Sequence, residues 1–451
     1  MTFARAFSSQ SRGLYFLFGT EMWERFSYYG MRALLVGYLV KYLLLPGHVE
    51  SVWLYPQIKA FYEMLAGPLD VQPLSAFIYG TYTGLIYATP ILGGWLADRY
   101  FGQRYIALSG IVMMAFGHFM MAFENLLFPA LALLIVGGGF FKTNTSTQVG
   151  MLYGTGDPRR DTGYSIFYVG INVGAFLAPF ICGTLGETVG WSYGFGAAGV
   201  GMILALMVYL WGWRDLPPEP PRGKQLTAPR KPLTRAEWKS VAALLLLVIP
   251  LTLYWACNEQ QGNTMALWSI DNTDRAIFGW NIPWTWFQSF NPAVIFFGTP
   301  FILAYWDRKG AAAPGSGQKM AYGCYLMMAA NLIMAFAAWH AGGTKSSWLW
   351  LGVYFTVMTV GEIYLYPISM SLFSKVAPLR IASLMMAVNF LPNFLGGGFL
   401  QGWLASYWSR MDKALFFVMI AAIAAVAGLI IHAIDRPLRP LLEEKSRDQE
   451  T

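Results

Sequence analysis

Apolar runs of about twenty residues recur along the whole chain, parted by short charged connections. At a rise of about 1.5 Å per residue, about 20 helical residues cross the roughly 30 Å hydrocarbon core of a bilayer. Hydrophobic residues make up 56% of the 451 and charged residues only 12%, about half the roughly 25% charged that is usual in soluble domains. No soluble core needs so much apolar sequence. The chain therefore reads as an all-α integral membrane protein with twelve transmembrane helices, at 13–45, 74–97, 104–123, 126–151, 162–185, 191–213, 238–269, 284–306, 319–340, 347–375, 380–407 and 412–434. The first span is too long and too charged for the core of a cleaved signal and is expected to stay in the membrane.

One long polar connection, RDLPPEPPRGKQLTAPRKPLTR, falls between spans 6 and 7. It divides the chain into a six-helix bundle at 1–213, a linker at 214–237 and a second bundle with a short tail at 238–451. Placing both termini in the cytoplasm puts 22 of the 31 lysines and arginines in inside loops, the linker and the tail, six outside and three within spans. That bias is the positive-inside rule, so the formal charge of +7 reports topology and argues against a nucleic-acid partner. GGWLADRYFGQR after span 2 and ILAYWDRKG after span 8 both put Asp-Arg at an inside helix end, as two parallel halves related by a pseudo-two-fold axis would. Cys182, Cys257 and Cys324 are scattered within apolar runs, which argues against a disulfide framework and a metal site.

Charges at span ends can snorkel to the interface, which leaves seven embedded in spans: Glu21, Glu24, Arg25, Arg32, Lys142, Glu259 and Glu362. Each costs about 2.5–3.5 kcal/mol at a span centre. Seven unpaired would cost about 20 kcal/mol, more than the roughly 5–15 kcal/mol net stability of a typical fold. They must meet one another or a water-filled cavity. Glu21, Arg25 and Arg32 recur at i, i+4 and i+11 with Glu24, Tyr28 and Tyr29 beside them, which gives span 1 one polar stripe. The bland alternative is an ion-pair network that merely holds span 1 to its neighbours. The three cations belong to the first half, and Glu259 and Glu362 to the second. A salt bridge between halves, loosened when its carboxylate is protonated, would link proton binding to alternating access. His48, His118, His340 and His432 lie in a loop, near a span end or on apolar helices, so proton coupling is expected to rest on carboxylates.

At these residues the chain resembles the proton-dependent oligopeptide transporter (PTR2/POT) family of the major facilitator superfamily. EMWERFSYYGMR matches the family's span 1 pattern E-x-x-E-R-F-x-Y-Y-G, and FYVGINVGAFLAP its span 5 signature. GGGFFKTN carries the span 4 lysine, EIYLYP the span 10 glutamate, and GGWLADRYFGQR the superfamily's loop motif. The resemblance implies the major facilitator fold, a non-enzymatic transporter without cofactor or ATP, and proton-coupled symport of di- and tripeptides driven by protons and the membrane potential. It implies that Arg25, Arg32 and Lys142 receive the peptide carboxylate and that Glu362 meets the amino terminus. Asn172 and Asn291 are then polar helpers, and Tyr28, Tyr29, Tyr87 and Trp255 pocket wall. Glu21, Glu24, Glu259 and Glu362 are the implied proton-linked carboxylates, with Glu259 opposite Lys142 as a gate; Asp98 and Arg99 form a cytoplasmic latch. The expected setting is the inner (cytoplasmic) membrane of a bacterium, with the protein a monomer in the lipid bilayer.

The chemistry suits such a ligand. A short peptide is a zwitterion with fixed ends, a carboxylate that wants arginine donors and an ammonium that wants a carboxylate, and aromatic walls accept varied side chains. Tyr366, Ser369 and Asn389 depart from the family's patterns in spans 10 and 11. The rival readings are a facilitator of nitrate or another organic anion, an intramembrane hydrolase, which no zinc or nucleophile motif supports, and a non-transporting receptor.

Overall fold

The computed structural model describes residues 10–154, 157, 159–219, 233–378 and 381–447. Residues 220–232 of the expected linker, and Arg5 and Arg380 among the cations used for topology, lie outside the described residues.

In chain order, α1 (Arg12–Tyr38) runs on through a π-helical turn at Leu39–Leu43, followed by α2 (Tyr55–Ala66), α3 (Val71–Leu96), α4 (Gln103–Met120) and α5 (Leu127–Met151). Next come α6 (Arg159–Ala178), α7 (Thr184–Thr188) and α8 (Trp191–Trp211). The second half holds α9 (Arg235–Asn258), α10 (Thr264–Asp271), α11 (Phe290–Lys309), α12 (Ser316–Ala341) and α13 (Leu349–Val376). Span 11 is broken into α14 (Ala382–Val388), α15 (Leu391–Phe394), a π-helical stretch at Leu395–Leu400 and α16 (Gln401–Ala405), and α17 (Lys413–Arg447) closes the chain. Short 3-10 and π-helical turns and two pairs of two-residue strands join these helices among the described residues.

Every expected span has its helix. Eight of the helical segments, among the described residues, are long and apolar enough to cross a membrane. Glu21, Glu24, Arg25 and Arg32 lower the hydropathy of α1, which is not one of the eight. Helix α2 has no counterpart among the twelve expected spans: it carries exposed Phe61, Met64 and Leu65 in the connection between spans 1 and 2, with exposed Trp53 just ahead of it. Helix α17 also outruns its expected end at 434, continuing through Pro437 and Pro440 to Arg447, because a charged helix need not stop where the bilayer does.

The chain forms two compact units. The first comprises 1–75, 85–224 and 276–293; the second comprises 76–84, 225–275 and 294–451. In the first, glycines let helices touch backbone to backbone. A methyl added at Gly110 of α4 would lie 2.6 Å from the Gly137 carbonyl oxygen of α5, and one at Gly174 of α6 only 2.1 Å from the Met22 carbonyl oxygen of α1. In the second, Gly323 of α12 meets Gly361 of α13 in the same way, at 2.6 Å. Helix α9 opens on a capping box, with Glu237 N–H donating to Thr234 Oγ1 (3.2 Å) and Thr234 N–H to Glu237 Oε2 (2.8 Å).

The start of the linker is tied to the first unit. The Glu219 carboxylate accepts the N–H groups of Gln103 (3.1 Å) and Arg104 (2.6 Å), the orphan donors that open α4. Arg104 returns the contact through Nε to the Pro217 carbonyl at 2.7 Å and lies over the Trp213 ring at 5.6 Å. Glu219→Ala is expected to lower stability by about 1 kcal/mol, since a cap of this kind is worth about that much, and a thermal midpoint in detergent micelles would register it.

Candidate functional site

In the first unit, α1 carries four charged side chains into the protein interior, and Glu21, Glu24, Arg25 and Arg32 are all buried. Neighbours in sequence point to different sides of a helix, yet the closest partner of Arg25 is Glu24. The guanidinium curls back so that Nε and Nη2 donate to the two Glu24 carboxylate oxygens, the second at 2.7 Å. Arg25 Nε also lies 3.3 Å from Glu21 Oε1, the i,i+4 contact expected from the spacing. One arginine thus serves two carboxylates, a bidentate pair plus a second acceptor.

Two further groups complete the cluster. Thr145 Oγ1 of α5 donates to Glu21 Oε2 at 3.3 Å. Thr145 lies one helical turn beyond Lys142, and Lys142 is close enough to act electrostatically on both Glu21 and Glu24. Tyr28 lies under both arginines, 5.1 Å from Arg25 and 6.0 Å from Arg32, and packs edge-on against Tyr29 at 5.0 Å. Lys142 Nζ sits 4.5 Å from the centre of the Tyr87 ring. The unit therefore gathers Glu21, Glu24, Arg25, Tyr28, Tyr29, Arg32, Tyr87 and Lys142 on three helices. The rings beside Arg25, Arg32 and Lys142 add attraction without changing the charge of the cations.

Asn172 is buried on α6 and donates from Nδ2 to Tyr168 O of its own helix at 2.9 Å. Asn291 stands at the start of α11, where Ser289 Oγ donates to Phe176 O at 2.9 Å and so fixes that segment to α6. Asp98 and Arg99 are exposed at the end of α3; Asp98 accepts from Gln103 Nε2 at 3.0 Å, and Arg99 lies 5.8 Å over the ring of Tyr100.

The second unit carries its own polar group. Glu259 is buried where span 7 leaves the α-helix for a 3-10 turn, Glu259–Gly262. Its stem rests on Gly397, where an added methyl would lie 2.9 Å from Glu259 Cγ. Glu362 of α13 accepts from Asn258 Nδ2 at 3.4 Å. Trp255 stands edge-on to Tyr366 at 5.5 Å, and Ser369 Oγ bonds back to Tyr366 O at 3.0 Å. Two of the residues that depart from the family pattern thus shape the surroundings of Trp255.

Sequence reasoning missed Thr145, Asn258 and Gly397. Thr145 was within reach, three residues after Lys142 on one face. Asn258 and Gly397 gave no signal, because their importance comes from a helix distant in sequence.

The POT family model (PTR2) matches residues 103–244 and 228–417. The chain is 31% identical to an uncharacterized transporter, YclF, of Bacillus subtilis, over 95% of this chain and 94% of that one. It is 30% identical to a di-/tripeptide transporter of Lactococcus lactis subsp. cremoris, over 97% and 98%. A crystal structure of the peptide transporter POT in complex with sulfate superposes with a TM-score of 0.84 at 28% identity, covering 98% of this chain and 99% of that one. The all-α architecture is therefore the major facilitator fold of a multi-pass transporter, not of an enzyme. With the motifs of spans 1, 4, 5 and 10 standing on helices of that fold, the chain belongs to the POT family.

Proposed function

We propose that the protein is a proton-coupled symporter of di- and tripeptides working by alternating access between two six-helix bundles. The observation that carries this reading is the buried cluster on α1, with Arg25 shared by Glu21 and Glu24 and both arginines over Tyr28. Full-length relatives that bear the name of di-/tripeptide transporters support it. Arg25, Arg32 and Lys142 take the peptide carboxylate, with Asn172 and Asn291 assisting, and Glu362 takes the ammonium. Tyr28, Tyr29, Tyr87 and Trp255 wall the side chains. Glu21, Glu24, Glu259 and Glu362 carry the protons, Lys142 and Glu259 gate one face, and Asp98 and Arg99 latch the cytoplasmic side. Both termini are cytoplasmic, and the protein works as a monomer in a bacterial inner membrane.

One charge moving inward through 100 mV supplies about 2.3 kcal/mol. At 1.4 kcal/mol per tenfold, each proton sustains roughly fifty-fold accumulation. The test is uptake of labelled dialanine by proteoliposomes under an inward proton gradient with the interior negative. Accumulation is expected, with collapse on adding a proton ionophore and in Glu24→Gln and Arg32→Ala. Glu362→Gln is expected to damage peptide uptake, because the ammonium loses its partner. Uptake of nitrate but not of dialanine by the wild type, unchanged in Glu362→Gln, would establish the anion facilitator instead.

A further inference from the structure

Above Glu259, towards the Asp271 end of span 7, the second unit contains a group of amides. Asn263 closes the 3-10 turn with φ −117° and ψ −90°, and no side-chain cap joins it to α10. Gln401 opens α16. Both are 0% exposed, and both side-chain atoms of each amide lack a hydrogen-bond partner among the described residues. Their neighbours are satisfied: Gln260 Nε2 donates to Gln401 O at 3.2 Å and Thr264 Oγ1 to Gln260 Oε1 at 2.9 Å. Those bonds fix the turn of span 7 against span 11, so the unpartnered amides are held there by their satisfied neighbours.

The register relates them to Glu259. Glu259 rests on Gly397; Asn263 is four residues past Glu259 on its own span, and Gln401 four past Gly397 on span 11. At the roughly 2 Å rise per residue of a 3-10 turn, Asn263 stands about 8 Å along span 7 from Glu259, and Gln401 lies in the same direction along span 11 from Gly397, so both amides belong to the Asp271 side of the carboxylate on the same two spans. Burying four amide atoms without partners is costly anywhere, and most of all in a membrane. Water with two to four polar partners is the ordinary remedy, and the four atoms offer two donor groups and two acceptors.

We propose that Asn263 and Gln401 hold internal water, and that this water is the step through which protons reach Glu259 from the Asp271 end of span 7. The proposal rests on the symport reading. A proton passes from a hydronium held at the amides to the Glu259 carboxylate, leaving neutral water that is recharged from the same side. No other reactant is needed.

Radiolytic hydroxyl footprinting of the full-length protein tests the water directly. Met265 and Trp268 follow Asn263 by two and five residues on span 7 and are 1% and 2% exposed; Met202 is 0% exposed and lies in the other unit. Wild-type Met265 and Trp268 are expected to label well above Met202, and to fall to its level in Asn263→Leu/Gln401→Met. Proton-driven dialanine uptake should fall about tenfold in that variant, as loss of a bridging water of ordinary worth implies, while peptide exchange without a gradient is retained. Asn263→Ser, which keeps a hydroxyl for water, should recover most driven uptake and guards against a misfolded double variant. Labelling of wild-type Met265 and Trp268 no higher than Met202 would overturn the proposal, as would full driven uptake in the double variant. Strong labelling in a wild type without proton-driven uptake would overturn the symport reading and the proton role, and leave the water in place.

Discussion

Arg25→Met is expected to destabilise the protein by about 3–5 kcal/mol and to abolish uptake. Removing one partner of a buried pair leaves an uncompensated charge, and that is the range such changes show. Here the loss is double, because Arg25 faces both Glu24 and Glu21. Thermal unfolding in detergent micelles checks it. The triple variant Glu21→Gln, Glu24→Gln, Arg25→Met separates structure from function. With both carboxylates and the guanidinium gone together, no carboxylate is stranded, and Lys142, which also acts on them, keeps its place at the Tyr87 ring, so stability should recover most of the loss, since replacing a buried pair whole is often neutral. Under the proposed function uptake should stay at zero, because one residue proposed to take the peptide carboxylate and two proposed to carry protons have gone with the charges. A triple variant as unstable as Arg25→Met would mean that packing of the side chains, not their charge, holds α1 in place. A triple variant that still transports would remove these residues from the mechanism.

The second large effect is steric. Gly174→Ala would place a methyl 2.1 Å from the Met22 carbonyl oxygen, 2.9 Å from the Phe26 nitrogen and 3.0 Å from Arg25 Cβ. Backbone atoms cannot rotate aside as a flexible side chain does, so α6 must move off α1. Overpacking of this kind costs about 1–3 kcal/mol. The displaced turn is the one that bears Glu24 and Arg25, so uptake is expected to fall further than stability. Gly196→Ala on α8 is the control: nothing lies within 4 Å of its added methyl, and both stability and uptake should stay at wild-type level. Equal losses in the two variants would show that helix glycines matter here for a reason other than close approach.

Both effects depend on contacts, and contacts are what the sequence specifies least directly. The positions of the spans were legible throughout: span 2, read as 74–97, is the helix Val71–Leu96, and span 9, read as 319–340, is Ser316–Ala341. Hydropathy works this well because the bilayer is a uniform solvent, and a helix must satisfy it with its own consecutive residues. The motifs on spans 1, 4, 5 and 10 were legible for the same reason, being local. The polar stripe of α1 followed from spacing alone, and so did the Glu21–Arg25 contact at 3.3 Å.

Other features needed the folded chain. Spacing favours Glu21 as the partner of Arg25, yet Glu24 binds it more closely, because the guanidinium can curl across the stripe once neighbouring helices close around it. Helix α2 is too short and too polar in its periodicity to be read as a span, and it forms a helix in the connection. The polar run NEQQGN stands at the break in span 7 and the glycines 396–398 at the break in span 11, but the unpartnered amides of Asn263 and Gln401 have meaning only once the two breaks stand side by side. By itself, then, the sequence determined what must lie in the membrane and which charges it must bury, since those are costs each helix meets alone. Only the tertiary structure decided which buried group answers which, because a hydrogen bond or an ion pair is set by the distance between residues that the chain may hold a hundred positions apart.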